Sequence, residues 1–312
     1  MTKKNGRFNM KKSRYILMTA FALVLVVALW FIFPKLDHRQ PPRSEPQLKI
    51  KTDKQNANEL KGVIRPDHIV IVVEENHSLE QIIGNEKAPY INELANKGAL
   101  MTNSHGVVHP SQPNYLVLFS GSTQGVKNDS CPHQFTSNNL ALQLKKAGKT
   151  FAGYSEDLPK IGFTGCSSRA YVRKHNPWVN FKNVPQEVNV PFHLFPKDDF
   201  SNLPTVSFVI PNLDHDIHDG TIAEADQWLK KNIGPYVQWA QNHNSLLILT
   251  WDEDDFRRAN HIPTLFVGPM VKPGKYSEYI DHYNVLRTIQ ALYRLPPLEK
   301  SESALPITNI WK

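Results

Sequence analysis

The chain has 312 residues, 40% of them hydrophobic and 21% charged, with a formal charge of +7. This is ordinary globular composition, enough for one large domain or two small ones. Residues 1–14, MTKKNGRFNMKKSR, hold six of the 36 Lys and Arg and no acid, so the remainder carries 30 basic against 29 acidic residues; a near-neutral body is no argument for a nucleic-acid partner.

Residues 15–33, YILMTAFALVLVVALWFIF, carry no charge. As a helix they would span roughly 28 Å, close to the bilayer hydrocarbon core of about 30 Å. The h-region of a cleaved signal peptide is shorter and ends at small residues; this run ends in Trp30, Phe31, Ile32, Phe33 and Pro34. It predicts a single-pass membrane anchor, with the basic tail in the cytoplasm and the body outside the cell membrane. Residues 34–61 are polar and aperiodic and read as a flexible linker. The working domain then covers residues 62–312.

In DHIVIVVEEN, Ile69 to Val73 form a continuous β-branched run, as expected of a strand covered on both faces. A helix follows in PYINELANKGA, with Pro89 near its start and Gly98 as its stop. A second is predicted in SNNLALQLKKAG, capped by Ser137 and stopped by Gly148. KTFAGYS reads as a strand, and residues 160–200 as irregular. PTVSFVIPN is a strand, Ala223 to His243 one long helix, SLLILTWDED and IPTLFVG strands, and HYNVLRTIQALYRL the final helix. Strands alternating with helices predict an α/β fold, a mostly parallel sheet flanked by helices on both faces.

Such a sheet places chemistry in loops beyond the C-terminal ends of its strands. Three polar clusters fall there. Glu75 and Asn76 end the first strand and offer oxygen ligands for a hard cation. In LDHDIHD, Asp214 and His218 stand four apart, close enough to converge within one turn on a divalent metal. Asp252 and Glu253 end the LLILT strand and are best placed to enter a cleft; Asp254 and Asp255 read as solvent-facing. His261 precedes the next strand. The stretch HPSQPNYLVLFSGS puts Ser111 after His109, where a helix opens with Pro113 in its first turn. A serine hydroxyl is a weak nucleophile unless a base or metal activates it, and a helix N-terminus offers amides to an anion. Ser111 as a plain helix cap is the simpler reading. Cys131 and Cys166 are the two cysteines; outside the cytoplasm they are expected to pair, the alternative being two buried thiols.

HIVIVVEENHS, HPSQPNYLVLFSGS, PNLDHDIHD, LTWDEDD and NHIPTLFVGP, in this order, resemble the bacterial phosphoesterase family of acid phosphatases and phospholipases C, within the alkaline-phosphatase-like superfamily. The resemblance implies that Ser111 is the nucleophile and that Glu75, Asn76, Ser111, Asp252 and Glu253 hold a metal. Asp214, His218 and His261 match second-metal positions, or histidines that contact the phosphate directly, and His109 would approach the substrate. The all-oxygen first site favours calcium, magnesium or manganese, one or two ions, with zinc as the softer alternative. Tyr115 stands where the sulfatase maturation motif has arginine, so a plain serine is expected. The implied activity is metal-dependent hydrolysis of a phosphate ester, a phosphomonoester first, through a phosphoserine. The rivals are a phospholipase C or other phosphodiesterase, a phosphoryl-group transferase, and a non-catalytic surface protein. No obligate protein partner is evident.

Overall fold

The computed structural model describes Leu60 and residues 62–312. The basic tail, the apolar run 15–33 and nearly all of the linker lie outside the described residues. Among the described residues no helix is long and apolar enough to cross a membrane.

Strand β1 (His68–Glu74) is buried from Ile69 onward. Its side chains alternate between two cores: Ile69, Ile71 and Val73 join one cluster, Val70 and Val72 the other. Period-two alternation with both faces covered explains why the run is apolar throughout. The remaining strands are β2 (Ala99–His105), β3 (Phe151–Ser155), β4 (Ser167–Ser168), β5 (Tyr171–Val172), β6 (Asn189–Pro191), β7 (Val206–Ile210), β8 (Ser245–Trp251), β9 (His261–Val267), β10 (Gly274–Tyr276) and β11 (Ile280–Asp281). The main sheet runs β10-β2-β9-β8-β1-β7-β3-β6, with β11 also on β2; β4 and β5 form a separate pair.

The helices are α1 (Leu79–Ile82), α2 (Pro89–Lys97), α3 (Ser111–Ser120), α4 (Leu140–Lys146), α5 (Ile222–Asn232), α6 (Gly234–Ala240) and α7 (His282–Leu292). Leu116 and Phe119 of α3, Leu144 of α4 and Ile289 of α7 pack on one face of the sheet. Ile91 and Leu94 of α2, Leu229 of α5 and Tyr236 of α6 cover the other.

The expected architecture is present, with local differences. The sheet is mixed: β9 runs antiparallel to both β2 and β8. Strand β2 was not expected, because Met101–His105 turns polar as it leaves the core. The predicted helix 223–243 is two, broken where Gly234 and Pro235 open α6. The cap of α4 is Asn139, whose side chain accepts from the Leu142 amide, and not Ser137. Cys131 and Cys166 form a disulfide with Cα atoms 5.9 Å apart.

Parallel register sets up the functional end. Glu74 pairs with Trp251 of β8, and β1 runs beside β7 in the same direction. The residues after β1, β7 and β8 therefore leave the sheet side by side. The Asp252 amide donates to the Glu74 carbonyl at 3.0 Å, and the Glu75 amide to the Asp216 carbonyl at 2.8 Å.

Candidate active site

Ser111 is the first residue of α3, and Pro110 occupies the cap position, so its hydroxyl is not spent as the helix cap. The hydroxyl is 2% exposed and donates to Glu75 Oε2 at 3.0 Å and Glu253 Oε1 at 3.3 Å. Tyr115, one turn along α3, donates its phenol to Glu75 Oε1. Asn114 donates to Glu253 Oε2 at 3.3 Å and accepts from the Val107 and Val108 amides, which ties the loop ahead of Ser111 to the same carboxylate. Helical spacing puts Ser111, Asn114 and Tyr115 on one face. Asn76 lies in the left-handed region at φ 49°, and its amide donates to Asp252 Oδ1 at 3.3 Å.

His175 is the largest addition to the expected set. It comes from the irregular segment and is 1% exposed. Its Nε2 lies 3.0 Å from Glu75 Oε1 and its Nδ1 3.2 Å from Asp216 Oδ2. Burial alone would lower its pKa, but Glu75 and then Asp216 outweigh burial and push it up to about 9. The ring is therefore an imidazolium bridging two carboxylates. Burial pushes Glu75 up, yet the His175 charge holds it below the usual carboxylate range. Asp216 rises to about 6 through burial, against the pull of His175.

His109 lies 2.9 Å from Glu253 Oε2 and 3.2 Å from Asp254 Oδ1, with Phe256 stacked on its ring. Asp254 is fully buried, unlike the solvent-facing residue expected. Its carboxylate accepts from the Phe256, Arg258 and Asn260 amides at 2.8, 2.8 and 2.9 Å. It thereby holds a loop in which Phe256, Ala259 and Asn260 all have positive φ.

Glu75, Ser111, Asp252, Glu253 and His109 are thus brought together. Two expected members are not. Asp214 is exposed, and its amide is held by Asn212 Oδ1. The i, i+4 convergence presumed a helical turn, but the segment after β7 is a non-helical loop that buries Asp216 and Ile217 instead. His261 opens an antiparallel strand beyond β8, and its ring nitrogens face Glu80 at 3.1 Å and the Thr102 carbonyl at 2.9 Å. Neither partner belongs to the carboxylate cluster. His218 is at the rim, with Nδ1 2.7 Å from Asp219 and Nε2 3.3 Å from Lys174 Nζ. Lys174 also pairs with Asp129 at 2.9 Å.

The residues fit a divalent cation. Glu75, Asp216, Asp252 and Glu253 are all buried, and Asp252 Oδ2 has no hydrogen-bond partner. Burial, with Glu75 adding to it, lifts Asp252 well above the usual range and Glu253 to about 8. Carboxylates this reluctant to ionise are short of positive charge. The donors around Asp252 are oxygens, which suits a hard cation. Glu75, His175 and Asp216 also bring ligand atoms within 4.8 Å of one another; there the protonated ring already supplies the charge, so the Asp252–Glu253 side is the better place for an ion.

Residues 85–296 match the model of the Phosphoesterase family. The chain is 53% identical over 246 residues to a Mycobacterium tuberculosis protein named phosphatidylinositol-3-phosphatase, covering 78% of this chain and 82% of that one. It is 31% identical to an acid phosphatase of Aspergillus fumigatus over 76% of this chain; that relative is longer, and the match spans 57% of its length. Among solved structures it resembles an alkaline phosphatase superfamily protein from Vibrio parahaemolyticus, with a TM-score of 0.53 at 13% identity, covering 75% of this chain and 67% of that one. This last likeness concerns the fold alone.

Proposed function

The chain belongs to the phosphoesterase family and is a hydrolase acting on phosphoric esters; from that premise we propose that it is an acid-phosphatase-like phosphomonoesterase working through Ser111. The observation that carries this reading is the Ser111 hydroxyl held between the Glu75 and Glu253 carboxylates at the start of α3.

In the proposed reaction Ser111 Oγ attacks phosphorus. The Oγ–P bond forms and the ester P–O bond breaks. The hydroxyl proton has two carboxylate acceptors within reach, and the departing alkoxide takes a proton from solvent. Water then cleaves the phosphoserine, releasing orthophosphate and restoring the hydroxyl. Glu75, Asn76, Ser111, Asp252 and Glu253 would hold a divalent ion, magnesium, manganese or calcium by donor type, and such an ion, when bound, stabilises negative charge on the phosphoryl oxygens. Among the chain's own groups, Tyr115 and His175 orient Glu75, and Asn114 and His109 orient Glu253.

A lipid phosphomonoester is the finer reading of the substrate. It is favoured by the name of the mycobacterial relative and by the charge-free run 15–33, which would keep the enzyme at a membrane. The two relatives described are named phosphatases, which favours monoesters over the diesters of a phospholipase C. The test is hydrolysis of p-nitrophenyl phosphate by the full chain across divalent metals, beside Ser111→Ala. Metal-dependent turnover that falls at least about a thousandfold in the variant supports the reading. Turnover that survives the substitution removes Ser111 as nucleophile; turnover of choline or glycerol phosphodiesters alone moves the assignment to a diesterase.

A further inference from the structure

We propose that Lys174, with His218 beside it, forms an anion subsite that grips the non-bridging oxygens of the phosphoryl group bound at Ser111; this deepens the phosphomonoesterase reading and rests on it. A phosphoryl group at a helix N-terminus ordinarily finds backbone amides there. In this chain the first amide after Ser111, that of Gln112, already donates to Asp129 Oδ1 at 3.0 Å. That amide is therefore not free for an incoming anion, and the other oxygen of Asp129 holds a further donor beside it: Lys174 Nζ, at 2.9 Å. Asp129 thus clamps the lysine to the same helix end that presents the serine.

The neighbours of Lys174 fix its position from both sides. Arg173 is 5% exposed and its guanidinium donates to Asn180 Oδ1 and to the carbonyls of Thr164, His133 and Val179. His175 is locked between Glu75 and Asp216. Between two immobilised residues, the lysine side chain keeps 17% exposure. An ammonium has three donors. Asp129 takes one. His218 Nε2, at 3.3 Å, accepts a second when the proton sits on Nδ1, the tautomer favoured by Asp219 at 2.7 Å. The third is available to an oxyanion.

Electrostatics agree with the geometry. Burial works against the ammonium, but Glu75, Asp129 and Asp252 together hold it firmly charged. The same charge acts in return on Glu75 and Glu253. Lys174 is therefore within electrostatic range of the carboxylates that hold Ser111.

The probe is inorganic orthophosphate, titrated calorimetrically into the full chain in detergent, with magnesium and with chelator, for wild type, Lys174→Gln and Lys174→Arg. Thermal melts are run in parallel. A charge-assisted hydrogen bond lost from an anion site weakens binding at least about tenfold. The expected result is that loss in K174Q with a rise in KM for p-nitrophenyl phosphate, and partial retention in K174R, which keeps the charge but not the donor geometry. Orthophosphate affinity within twofold of wild type in a natively melting K174Q overturns the subsite. If K174Q does not fold, wild-type affinity in K174R, whose donors are displaced, overturns it equally. Lys174-dependent orthophosphate binding by a wild type that hydrolyses no phosphomonoester would sink the proposed function and leave the subsite standing.

Discussion

Replacing His175 by alanine tests the charge arrangement directly. In the metal-free protein the substitution leaves Glu75 and Asp216 buried, 0% exposed, without the imidazolium that now lies 3.0 and 3.2 Å from them. Removing one partner of a buried ionic set costs about 3–5 kcal/mol. Proton linkage gives a similar figure: a histidine raised from 6.5 to about 9 contributes on the order of 2.5 kcal/mol at pH 7. At about 2–4 °C per kcal/mol for a domain of this size, the melting temperature falls by roughly 10 °C. The sign in pH is fixed. A raised histidine contributes fully below its unfolded value of about 6.5 and loses that contribution as pH rises through about 9. The gap between wild type and H175A should therefore be wide near pH 6.5 and close by about pH 10. Denaturant unfolding in chelator between these limits measures it. A loss under about 1 kcal/mol, or one that does not change with pH, would refute the imidazolium bridge.

Three further outcomes are expected. In Asp254→Ala the amides of Phe256, Arg258 and Asn260 lose their common acceptor and the positive-φ loop relaxes, so hydrogen exchange at these three sites should rise at least about tenfold while the β1 amides stay protected. Asp226 accepts from the Tyr90 and Ile91 amides at the start of α2, at 3.1 and 2.8 Å, and Asp226→Ala should cost about 2–4 kcal/mol by denaturant unfolding. Burial holds that carboxyl above its ordinary value, so its contribution is fully present in acid and is lost as pH rises through its folded pKa; the gap to the variant should narrow as pH rises from acid toward neutral. Reducing the Cys131–Cys166 bond frees a 35-residue closure and should lower stability by about 3–4 kcal/mol, read from unfolding with and without reductant.

Much of the site was legible because apolar pattern marks where a strand stops. Glu75, Asp252 and Glu253 follow continuous buried runs, and the parallel register of β1 and β8 brings those ends together. Ser111 could be singled out because a proline-flanked serine opens an apolar helix. Tyr115 could have been found the same way, since it stands one turn from Ser111 on the same helix face. His175, Lys174 and Asp129 carried no such signal. They sit in loops and short 3-10 turns, where no period relates one residue to the next and position depends on contacts far along the chain.

The substitution of Asp216 for Asp214 shows the limit most plainly. Spacing along a chain fixes a side chain's direction only when the backbone is regular, and the loop after β7 is not. His261 shows another: its residue type and place before a strand suggested chemistry, and antiparallel β9 does begin at the end where β8 finishes, but its ring is taken up by Glu80 and the Thr102 carbonyl. The sequence by itself determined the α/β layering, the strand ends that carry carboxylates and the serine that opens α3, because burial and periodicity are local, repeating constraints. Only the tertiary structure decided which histidine neutralises Glu75, which aspartate is buried and where the lysine stands, because electrostatic partnership depends on distance in space, and in aperiodic segments distance in space is set by the rest of the fold.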